Sequence, residues 1–385
     1  MNPQTIPFGR PWITDDERSA VLSVLEGPVL THGPEGKAFE EEFGAFVGVG
    51  ARSVAVSSCM GALHLAYLAL GVGPGDEVIV PAETHVATAH AVEWVGARPV
   101  FVDCDPATGN LTAERIAAAV TPRTRALSVV HLLGIPCAMP EIMTLAERHG
   151  LKVVEDCAVA LGARYRRRHV GLFGDAGCFS FYPVKHITTG EGGMLVTRRE
   201  DVAEKADRLR AFGVDRAHGD RAIPGIYDVP TLGLNYRMSE MQAAIGRRQI
   251  ARIEENLERR RVNFHRLKAL LAKLEGVFVL DAVNESEDSS HYCLSAVLMG
   301  GLGKRRDEVV QALGRRGVGT SVYYPQPVPR MTYYREKYGY RAEDFPNAAL
   351  ISDQSIALPV GPHLDSADMD TIAESFVQAI KEVSP

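Results

Sequence analysis

The fold is decided by residues 126–156, which read ALSVVHLLGIPCAMPEIMTLAERHGLKVVED. Two short apolar runs, Ala126 to His131 and Lys152 to Asp156, flank a segment with helical periodicity, Met139 to His149. An apolar run, a helix and a second apolar run are typical of a βαβ unit, whose strands are parallel and buried on both faces. The stretch therefore predicts a doubly wound α/β sheet.

The same alternation extends from about residue 50 to about residue 200. Further strand and helix candidates in this region are, in chain order, Glu77 to Val80, Thr84 to Val95, Pro99 to Asp103, Thr112 to Val120, Gly177 to Phe181 and Gly193 to Thr197. Strands that alternate with helices form mostly parallel sheets with helices on both faces. Ligands bind beyond the carboxyl ends of the strands in such sheets, so a functional site is expected at that edge.

A second region begins with the segment from Ser239 to about Leu274, which consists almost entirely of helix-forming residues. It opens on a capping box, Ser239 to Gln242, and its later half is densely charged, so we expect one long helix that bridges two domains. The predicted boundary lies within this helix and gives a large domain over residues 1–250 and a smaller α+β domain over residues 251–385. The smaller domain is expected to contain strands over Cys293 to Met299 and Gly319 to Tyr324 and a terminal helix over Ser366 to Val383.

Composition excludes several classes of protein. The chain has 385 residues and a formal net charge of −6, so it offers no bulk electrostatic attraction for nucleic acid or an anionic membrane. It contains no apolar run near the ~18 residues of a membrane-spanning helix, and residues 1–7 lack the basic and apolar regions of a secretory signal. The six cysteines are scattered without a C-x-x-C pair, which argues against a metal site or a disulfide framework and predicts a cytoplasmic protein.

One lysine has an unusual setting. Lys185 lies in residues 179–193, FSFYPVKHITTGEGG, between a short apolar strand and a glycine-rich turn, with the acidic strand end Glu155-Asp156 upstream. A lysine at a buried strand end is kept partly uncharged by desolvation, which lets its amine act as a nucleophile. The alternative is a solvated loop lysine, but the setting favours a lysine that binds pyridoxal phosphate (PLP) as a Schiff base.

PLP also needs an acid beside its pyridine nitrogen, a flat partner for its ring and a cradle for its phosphate. Asp156 ends a predicted strand and can keep the pyridine nitrogen protonated; the alternative is a helix cap or a loop carboxylate. Its neighbour Glu155 points to the opposite face of the strand and is the less favoured acid. His85 could stack on the ring, or it could be a polar residue that is satisfied at a helix start.

The phosphate candidates come from residues 57–62, SSCMGA, which precede an apolar helix. Cys59 and Met60 would offer backbone N–H groups at a helix N-terminus, which suit a dianionic phosphate. Ser180, five residues before Lys185, could add a hydroxyl group. Serines also cap helices without binding phosphate, so this signal counts only together with the others.

Taken together, these stretches resemble the DegT/StrS-type sugar aminotransferases, which are PLP enzymes of fold type I. The resemblance runs from near Phe8 to the end of the chain. It is carried by residues 73–81 (GPGDEVIVP), 100–103 (VFVD), 153–158 (VVEDCA), 174–181 (GDAGCFSF), 190–193 (GEGG) and 233–240 (GLNYRMSE). It implies a large domain with a mostly parallel, seven-stranded sheet flanked by helices, and a smaller α+β C-terminal domain.

The resemblance implies roles for four residues. Lys185 would be the Schiff-base lysine, Asp156 would contact the pyridine nitrogen, and Ser180 would contact the phosphate. Asn235 would reach the phosphate of the neighbouring subunit, which would make the working unit a homodimer with shared active sites.

The chain departs from the family pattern at two positions. Val159 stands where a glutamine usually contacts the ring hydroxyl side, and Met60 stands where a threonine is usual in the phosphate loop. These losses could loosen the cofactor or mark an unusual substrate branch. A subset of the family has histidine at the lysine position and removes a hydroxyl group instead. Lys185 argues against that reaction, and the adjacent His186 is expected to act only through its neighbours.

The resulting prediction is a PLP-dependent aminotransferase that passes the amino group of glutamate, through pyridoxamine phosphate, to a keto sugar in amino-sugar and polysaccharide biosynthesis. The favoured acceptor is a nucleotide-linked 4-keto-6-deoxyhexose. The alternatives are a free keto sugar, a keto cyclitol or a non-catalytic PLP-binding regulatory protein. Residues 165–169, YRRRH, would form a hairpin tip that clamps a nucleotide diphosphate or is simply solvated. Tyr323 and Tyr324 would line the sugar site or pack in the core.

Overall fold

Short strands and helices alternate along the chain. The computed structural model describes residues 5–215, 223 and 226–383; residues 1–4, part of the N-terminal stretch considered above, lie outside the described residues. The strands are β1 (Arg52–Val56), β2 (Glu77–Pro81), β3 (Arg98–Val102), β4 (Thr124–Val130), β5 (Lys152–Asp156), β6 (Arg164–Tyr165), β7 (Arg168–His169), β8 (Ala176–Ser180), β9 (Gly193–Thr197), β10 (Val277–Val279), β11 (Glu287–Asp288), β12 (Leu294–Leu298) and β13 (Ser355–Leu358).

The helices are α1 (Asp15–Glu26), α2 (Pro34–Val47), α3 (Cys59–Ala69), α4 (Val86–Trp94), α5 (Ala113–Ala119), α6 (Met139–His149), α7 (Glu200–Arg210), α8 (Glu240–Ala251), α9 (Ile253–Leu271), α10 (Gly300–Gly303), α11 (Arg306–Arg315), α12 (Thr332–Tyr338), α13 (Pro346–Gln354) and α14 (Ser366–Val383). Single 3-10 turns occur at Leu132–Gly134 and Val328–Arg330. Among these described helices, none is long and apolar enough to cross a bilayer.

The central sheet has seven strands in the order β1-β9-β8-β5-β4-β2-β3. Strands β8, β5, β4, β2 and β3 pair in parallel, while β9 runs antiparallel to both of its neighbours, β1 and β8. This arrangement confirms the predicted mostly parallel sheet. The structure also confirms, to the residue, the predicted strands at β5 and β9 and the predicted helices at α6 and α14.

The two faces of the sheet separate neighbouring side chains of β5. Val153 packs in the core that α5 and α6 cover, whereas Val154 packs in the core beneath α3, α4 and α7. Because side chains alternate along a strand, Glu155 and Asp156 also point to opposite faces. Burial on both faces explains why the strand is continuously apolar up to these two carboxylates.

The C-terminal part of the chain has a core of its own. Helices α9, α11 and α14 pack against β12 and β13, and Ile6 from the start of the chain joins them. Strands β10, β12 and β13 form a three-stranded sheet there. The predicted strand over Cys293 to Met299 is confirmed as β12.

The start of the predicted helix over Ser239 to Leu274 is confirmed. The Ser239 hydroxyl accepts a hydrogen bond from the backbone N–H of Gln242, and the Gln242 side chain accepts one from the backbone N–H of Ser239 at 2.9 Å. These bonds satisfy N–H groups that the first helical turn leaves free. The capping box therefore identifies the first residue of α8 correctly.

The prediction of one continuous helix is wrong. Arg252 separates α8 from α9 with φ −119° and ψ 22°, outside the helical region. Its guanidinium group donates hydrogen bonds to the Trp12 carbonyl at 2.8 Å and to the Thr14 hydroxyl at 2.9 Å. Contacts with a distant part of the chain thus hold a break that local helix propensity does not reveal. The division of the chain at residue 250 stays a prediction.

The predicted strand over Gly319 to Tyr324 is also wrong. Within the described residues, Ser321 alone in this segment forms a bridge, to Ala357 of β13. The backbone N–H of Tyr324 donates to the Glu83 carboxyl group at 2.8 Å instead of joining a ladder. Tertiary contacts here override the β-propensity of the segment.

Candidate active site

The carboxyl edge of the central sheet collects several of the predicted site residues. Asp156 ends β5 and Ser180 ends β8, and the registers Asp156↔Cys178 and Ser180↔Gly193 align these strand ends. Helix α3 begins at the same edge because Gly193 has no side chain: a Cβ atom there would lie 2.5 Å from the carbonyl carbon of Ser58. A carboxylate, a hydroxyl group and a helix N-terminus therefore share one edge of the sheet.

Lys185 belongs to the loop that follows β8. Its backbone N–H donates to the Tyr182 carbonyl at 2.9 Å, and its Nζ lies 5.1 Å from the centre of the Tyr292 ring. Within the described part of the chain, Nζ makes no hydrogen bond or ion pair. Burial lowers the pKa of the Lys185 ammonium group, against the opposing charge of Asp156. The amine is therefore more readily uncharged than that of a solvated lysine.

Two donors hold the Asp156 side chain. The Thr88 hydroxyl donates to Oδ2 at 2.8 Å, and the backbone N–H of Ala158 donates to Oδ1 at 3.0 Å. The Thr88 hydroxyl also lies 2.8 Å from the hydroxyl of Thr84, which stands two residues before α4. These contacts fix the orientation of a buried carboxylate at the end of β5.

His85 lies close to both Asp156 and Lys185. It caps α4, since its Nδ1 accepts from the backbone N–H of Ala87 at 3.2 Å, and its ring meets the Tyr324 ring edge-on with centroids 5.5 Å apart. Burial lowers the pKa of His85, the charge of Asp156 raises it, and the charge of Lys185 lowers it. The imidazole is therefore neutral near neutral pH and lies within electrostatic range of both charged groups.

Helix α3 supplies unpartnered donors. It begins at Cys59, four residues before the apolar run that starts at Leu63, and Ser58 caps it by accepting from the backbone N–H of Gly61 at 3.0 Å. The backbone N–H groups of Cys59 and Met60 have no hydrogen-bond partner among the described residues. Two donors and the positive end of the helix dipole are thus available at the edge of the sheet.

Glu155 faces away from this site and supports the strand end. His131, Glu155 and Cys157 offer three groups of the kinds that bind metals, within 4.8 Å of one another. The His131 Nδ1 accepts from the backbone N–H of Cys137 at 3.1 Å, so its ring proton lies on Nε2 and is donated to Glu155. The carboxylate accepts four hydrogen bonds in all, from His131 Nε2 (3.0 Å) and the backbone N–H groups of Gly171 (2.7 Å), Phe173 (2.8 Å) and Gly174 (2.7 Å). Both ring nitrogens and both carboxylate oxygens are therefore already used within the protein.

Similarity to known proteins extends over nearly the whole chain. The family model described as the DegT/DnrJ/EryC1/StrS aminotransferase family matches residues 11–377. The chain belongs to this family. The spore coat polysaccharide biosynthesis protein SpsC of Bacillus subtilis is 37% identical over 380 residues, which cover 98% of this chain and 97% of SpsC. GDP-perosamine synthase of Caulobacter vibrioides is 36% identical over 377 residues, which cover 97% of this chain and 98% of that protein.

Solved aminotransferases share the fold. The PMP-form of the putative sugar aminotransferase Spr1654 from Streptococcus pneumoniae superposes with a TM-score of 0.93 at 28% identity, covering 98% of this chain and 100% of that chain. The PLP-form of the same protein superposes with a TM-score of 0.92. The chain is thus a PLP-dependent aminotransferase of fold type I. The predicted fold class, cofactor and class of enzyme are confirmed.

The residues of this aminotransferase suit PLP. Lys185 provides an amine that has no hydrogen bond or ion pair with the residues that the structure describes, and Asp156 provides a fixed carboxylate on the same edge of the sheet. The free N–H groups of Cys59 and Met60 are complementary to a phosphate at the start of a helix. The aldehyde, the pyridine nitrogen and the phosphate of PLP are thus each complementary to a group of the protein.

In a single aminotransferase chain, Asn235 is exposed. Its Oδ1 accepts from Arg237 Nε at 3.0 Å, and its backbone forms a bridge with Ala211. A cavity of about 1020 Å³ lies on this side of the chain; Arg237 lines it, but Lys185 and Asp156 do not. The contact of Asn235 with a neighbouring subunit stays a prediction.

The two departures from the family pattern lie in the segment after β5 and at the start of α3. Val159 is buried, and its carbonyl accepts from the Ser290 hydroxyl at 3.1 Å. Met60 is the second residue of α3, so its backbone still points an N–H group at the edge of the sheet. The apolar side chains at these positions provide no polar contact of their own.

His186 holds the loop that follows β8 and carries Lys185, called the lysine loop below. Its Nε2 donates to the Ser290 carbonyl at 3.0 Å, and its own carbonyl accepts from Asn256 Nδ2 of α9 at 2.6 Å. Burial lowers the pKa of His186, which keeps the imidazole neutral. Its role at the site stays a prediction.

The predicted hairpin over residues 165–169 is confirmed as the turn between β6 and β7. Arg166 and Arg167 form its tip with φ values of 47° and 68°, and both side chains are exposed. Neither forms an ion pair with another described residue. The tip therefore presents two guanidinium groups to the outside.

Sequence reasoning missed three side chains at the site. Thr88 could have been found, because it follows His85 by three residues and so shares its face of α4. Tyr292, which Lys185 contacts, and Glu83, which binds Tyr324, carry no local signal. Only the tertiary fold brings them to the site.

Proposed function

We propose that this aminotransferase transfers the amino group of glutamate to a nucleotide-linked 4-keto-6-deoxyhexose. Membership of the DegT/DnrJ/EryC1/StrS family supports transamination. Two relatives support the sugar, since one is named for spore coat polysaccharide biosynthesis and the other for GDP-perosamine, a nucleotide-linked compound. A free keto sugar or a keto cyclitol is the alternative acceptor.

One observation carries the proposal: the Lys185 amine lies at the carboxyl edge of the sheet and has no hydrogen bond or ion pair with any described residue. Burial lowers the pKa of this amine, and Asp156 and His85 lie within its electrostatic range. An amine in this state is suited to bind the aldehyde carbon of PLP and to exchange protons near neutral pH.

When bound, PLP supplies an electron sink for the carbon that loses its proton. Lys185 Nζ would hold the cofactor and, once the amino donor has displaced it, would move the proton of the donor's Cα, so one amine would be both anchor and general acid/base. Asp156 would keep the pyridine nitrogen protonated, and the Thr88 hydroxyl holds Asp156 in a fixed orientation. His85 would stack on the ring.

The phosphate is assigned to the start of α3 and to a second chain. The N–H groups of Cys59 and Met60 and the hydroxyl group of Ser180 bind it from one subunit, and Asn235 binds it from the other. Leu232, three residues before Asn235 in the chain, is 92% exposed, which supports this association. Large exposed apolar patches commonly mark interfaces between proteins.

The nucleotide is assigned to the hairpin tip. Arg166 and Arg167 carry guanidinium groups, which bind phosphate oxygens with two hydrogen bonds each. A nucleoside diphosphate should therefore compete with the acceptor, and replacing both arginines by alanine should weaken that competition. A competition equally strong in the double variant would contradict this assignment.

The cofactor assignment is tested by replacing Lys185. The purified protein should have a visible absorbance that shifts when glutamate is added, and borohydride should fix the cofactor on Lys185. The Lys185→Ala variant should fold but lose both properties. Lys152→Ala should keep them, because Lys152 lies at the end of β5 opposite to Asp156. A colourless protein that takes up no PLP would refute the proposed function.

The acceptor and the assembly need two further measurements. The pyridoxamine form should be mixed with nucleotide-linked and free keto sugars, and the return of the original absorbance identifies the acceptor. Return with free keto sugars only would favour the alternative. The role of Asn235 predicts that activity requires a dimer, so full activity of monomers at high dilution would refute it.

A further inference from the structure

Glu83 is a buried carboxyl group to which the proposed reaction gives no role. It follows β2 at the carboxyl edge of the sheet and has no exposed surface. Its Oε1 accepts from the backbone N–H of Tyr324 at 2.8 Å, and its Oε2 accepts from the Ser352 hydroxyl of α13 at 2.5 Å. The adjacent Ala82 carbonyl accepts from the backbone N–H of Val328 at 2.9 Å. Residues 82–83 thus hold the segment 324–328 at two points.

Tyr324 extends this attachment into the candidate active site. Its ring meets His85 edge-on at 5.5 Å, and burial and the charge of Asp156 both raise its pKa. The neighbouring Tyr323 hydroxyl is hydrogen-bonded to the Tyr292 hydroxyl at 2.8 Å. The Tyr324 hydroxyl has no such partner among the described residues, so it remains available to a ligand.

The surroundings of Glu83 favour its neutral form. Burial raises the pKa of Glu83 to about 8; the hydrogen bonds from Ser352 and Tyr324 lower it, and the charges of Asp353 and Asp103 raise it. Each of those aspartates has an arginine nearby: Asp353 forms an ion pair with Arg330 at 2.9 Å, and Asp103 lies 3.8 Å from Arg115. The Cys104 thiol, which also interacts electrostatically with Glu83, is neutral because burial raises its pKa.

We propose that Glu83 is a positioning residue for the amino acceptor: it holds the backbone of Tyr324 so that the Tyr324 hydroxyl contacts the keto sugar. This inference rests on the proposed function, because the ligand it assigns to Tyr324 is the sugar that receives the amino group. The donor half of the reaction does not depend on Glu83. Asp156 is held by Thr88 and Ala158, and the lysine loop is held through His186.

The first test compares two variants of Glu83 in the PLP-loaded enzyme. Glu83→Ala removes both hydrogen bonds, and since a buried N–H group without a partner is costly, we expect the KM for the keto sugar to rise about 10-fold or more. The rate at which glutamate converts the cofactor to its amine form should change less than about 2-fold. Glu83→Gln keeps an oxygen for the Tyr324 N–H, and its amide N–H can donate to the Ser352 hydroxyl once that hydroxyl rotates from donor to acceptor, so the KM should stay near the wild-type value.

A matched control lies at the other end of the same strand. Glu77 is also buried, and it binds the Thr121 hydroxyl and the Arg123 guanidinium group. Glu77→Ala should lower stability without changing the KM for the keto sugar. An equal rise of the KM in Glu77→Ala would show that any loss of stability has this effect, and it would overturn the inference.

Two further measurements test the attachment of Tyr324 to Glu83, and the first of them needs no turnover. Amide hydrogen exchange over residues 322–330 should be faster in Glu83→Ala, and also in Ser352→Ala if Glu83→Ala does not fold. In the double variant Glu83→Ala/Tyr324→Ala, the KM should rise no further than in Tyr324→Ala, because Glu83 acts through Tyr324. Additive increases of the KM in the double variant would overturn the inference. So would unchanged hydrogen exchange in both Glu83→Ala and Ser352→Ala.

Failure of the inference can be told apart from failure of the proposed function. If wild-type protein transaminates no keto sugar with any donor, the proposed function fails, and this is seen before any variant is made. If wild-type protein does so but Tyr324→Ala keeps the wild-type KM, only the positioning role is refuted.

Discussion

Two glutamates lie fully buried near the carboxyl edge of the central sheet, and their surroundings give them opposite ionisation. Burial by itself would raise the pKa of Glu155, but hydrogen bonds from His131 and from backbone N–H groups outweigh it and lower the pKa. Glu83 has two donors and two nearby aspartates among the described residues, and burial raises its pKa to about 8. The number of donors and the nearby charges, rather than the depth of burial, decide whether a buried carboxyl group is charged.

Replacing Glu155 should have the largest effect on stability. Glu155→Gln puts an amide NH₂ group against N–H donors that now face a carboxylate, so some buried donors lose their partner. We expect the free energy of unfolding to fall by about 3–5 kcal/mol at pH 7. Urea unfolding measures this change. Glu255→Gln, which breaks an exposed pair with Arg259 on α9, should change it by less than about 0.5 kcal/mol; a similar small change for both variants would refute the assigned charge of Glu155.

Glu83→Gln should have the opposite sign and depend on pH. The folded pKa of Glu83 is about 8 and its ordinary value is 4.5. Between these values the unfolded chain has lost the proton and the folded chain retains it, so the wild-type protein loses stability as the pH rises from 4.5 to about 8.

Glutamine does not titrate in this range. The stability of Glu83→Gln relative to wild type should therefore increase by up to about 1.4 kcal/mol per pH unit within that window and level off above it. Urea unfolding of both proteins at several pH values measures this difference. A difference that does not change with pH would mean that Glu83 is already ionised, like Glu155.

Thr88→Val should have the smallest effect of these substitutions and tests how many donors the Asp156 carboxylate needs. The variant removes one of the two donors that hold Asp156, so the carboxylate is less well oriented. We expect the affinity for PLP to fall about 10-fold, as for the loss of one hydrogen bond to a charged group. Spectrophotometric titration of the cofactor measures this, with Thr88→Ser as the variant that keeps the hydroxyl. Equal affinity of the valine and serine variants would mean that the Ala158 N–H alone is sufficient.

The sheet was predictable where burial on both faces leaves a continuous apolar run. Strand β5 and helix α6 fall where the sequence places them, because their pattern is local. Strand β1 escaped prediction: its first two residues, Arg52 and Ser53, are polar, and only Val54 to Val56 are buried. The break at Arg252 and the irregular segment 319–324 were missed because hydrogen bonds to distant residues hold both.

The candidate site shows the same division. Lys185, Asp156 and Ser180 stand in short motifs at strand ends, so pattern and resemblance suffice to propose them. Tyr292 and Glu83 reach the site from other segments, and the ring contact or hydrogen bond that places each of them is not local. The roles of all these residues stay predictions until the variants are measured.

The sequence by itself determined the class of fold, the family and the cofactor, because apolar periodicity and strand-end motifs are local properties of the chain. Only the tertiary structure decided the charge of the two buried glutamates and the attachment of Tyr324 to Glu83. Both depend on which donors and charges surround a group after folding. Those neighbours come from distant segments, so no local pattern contains them.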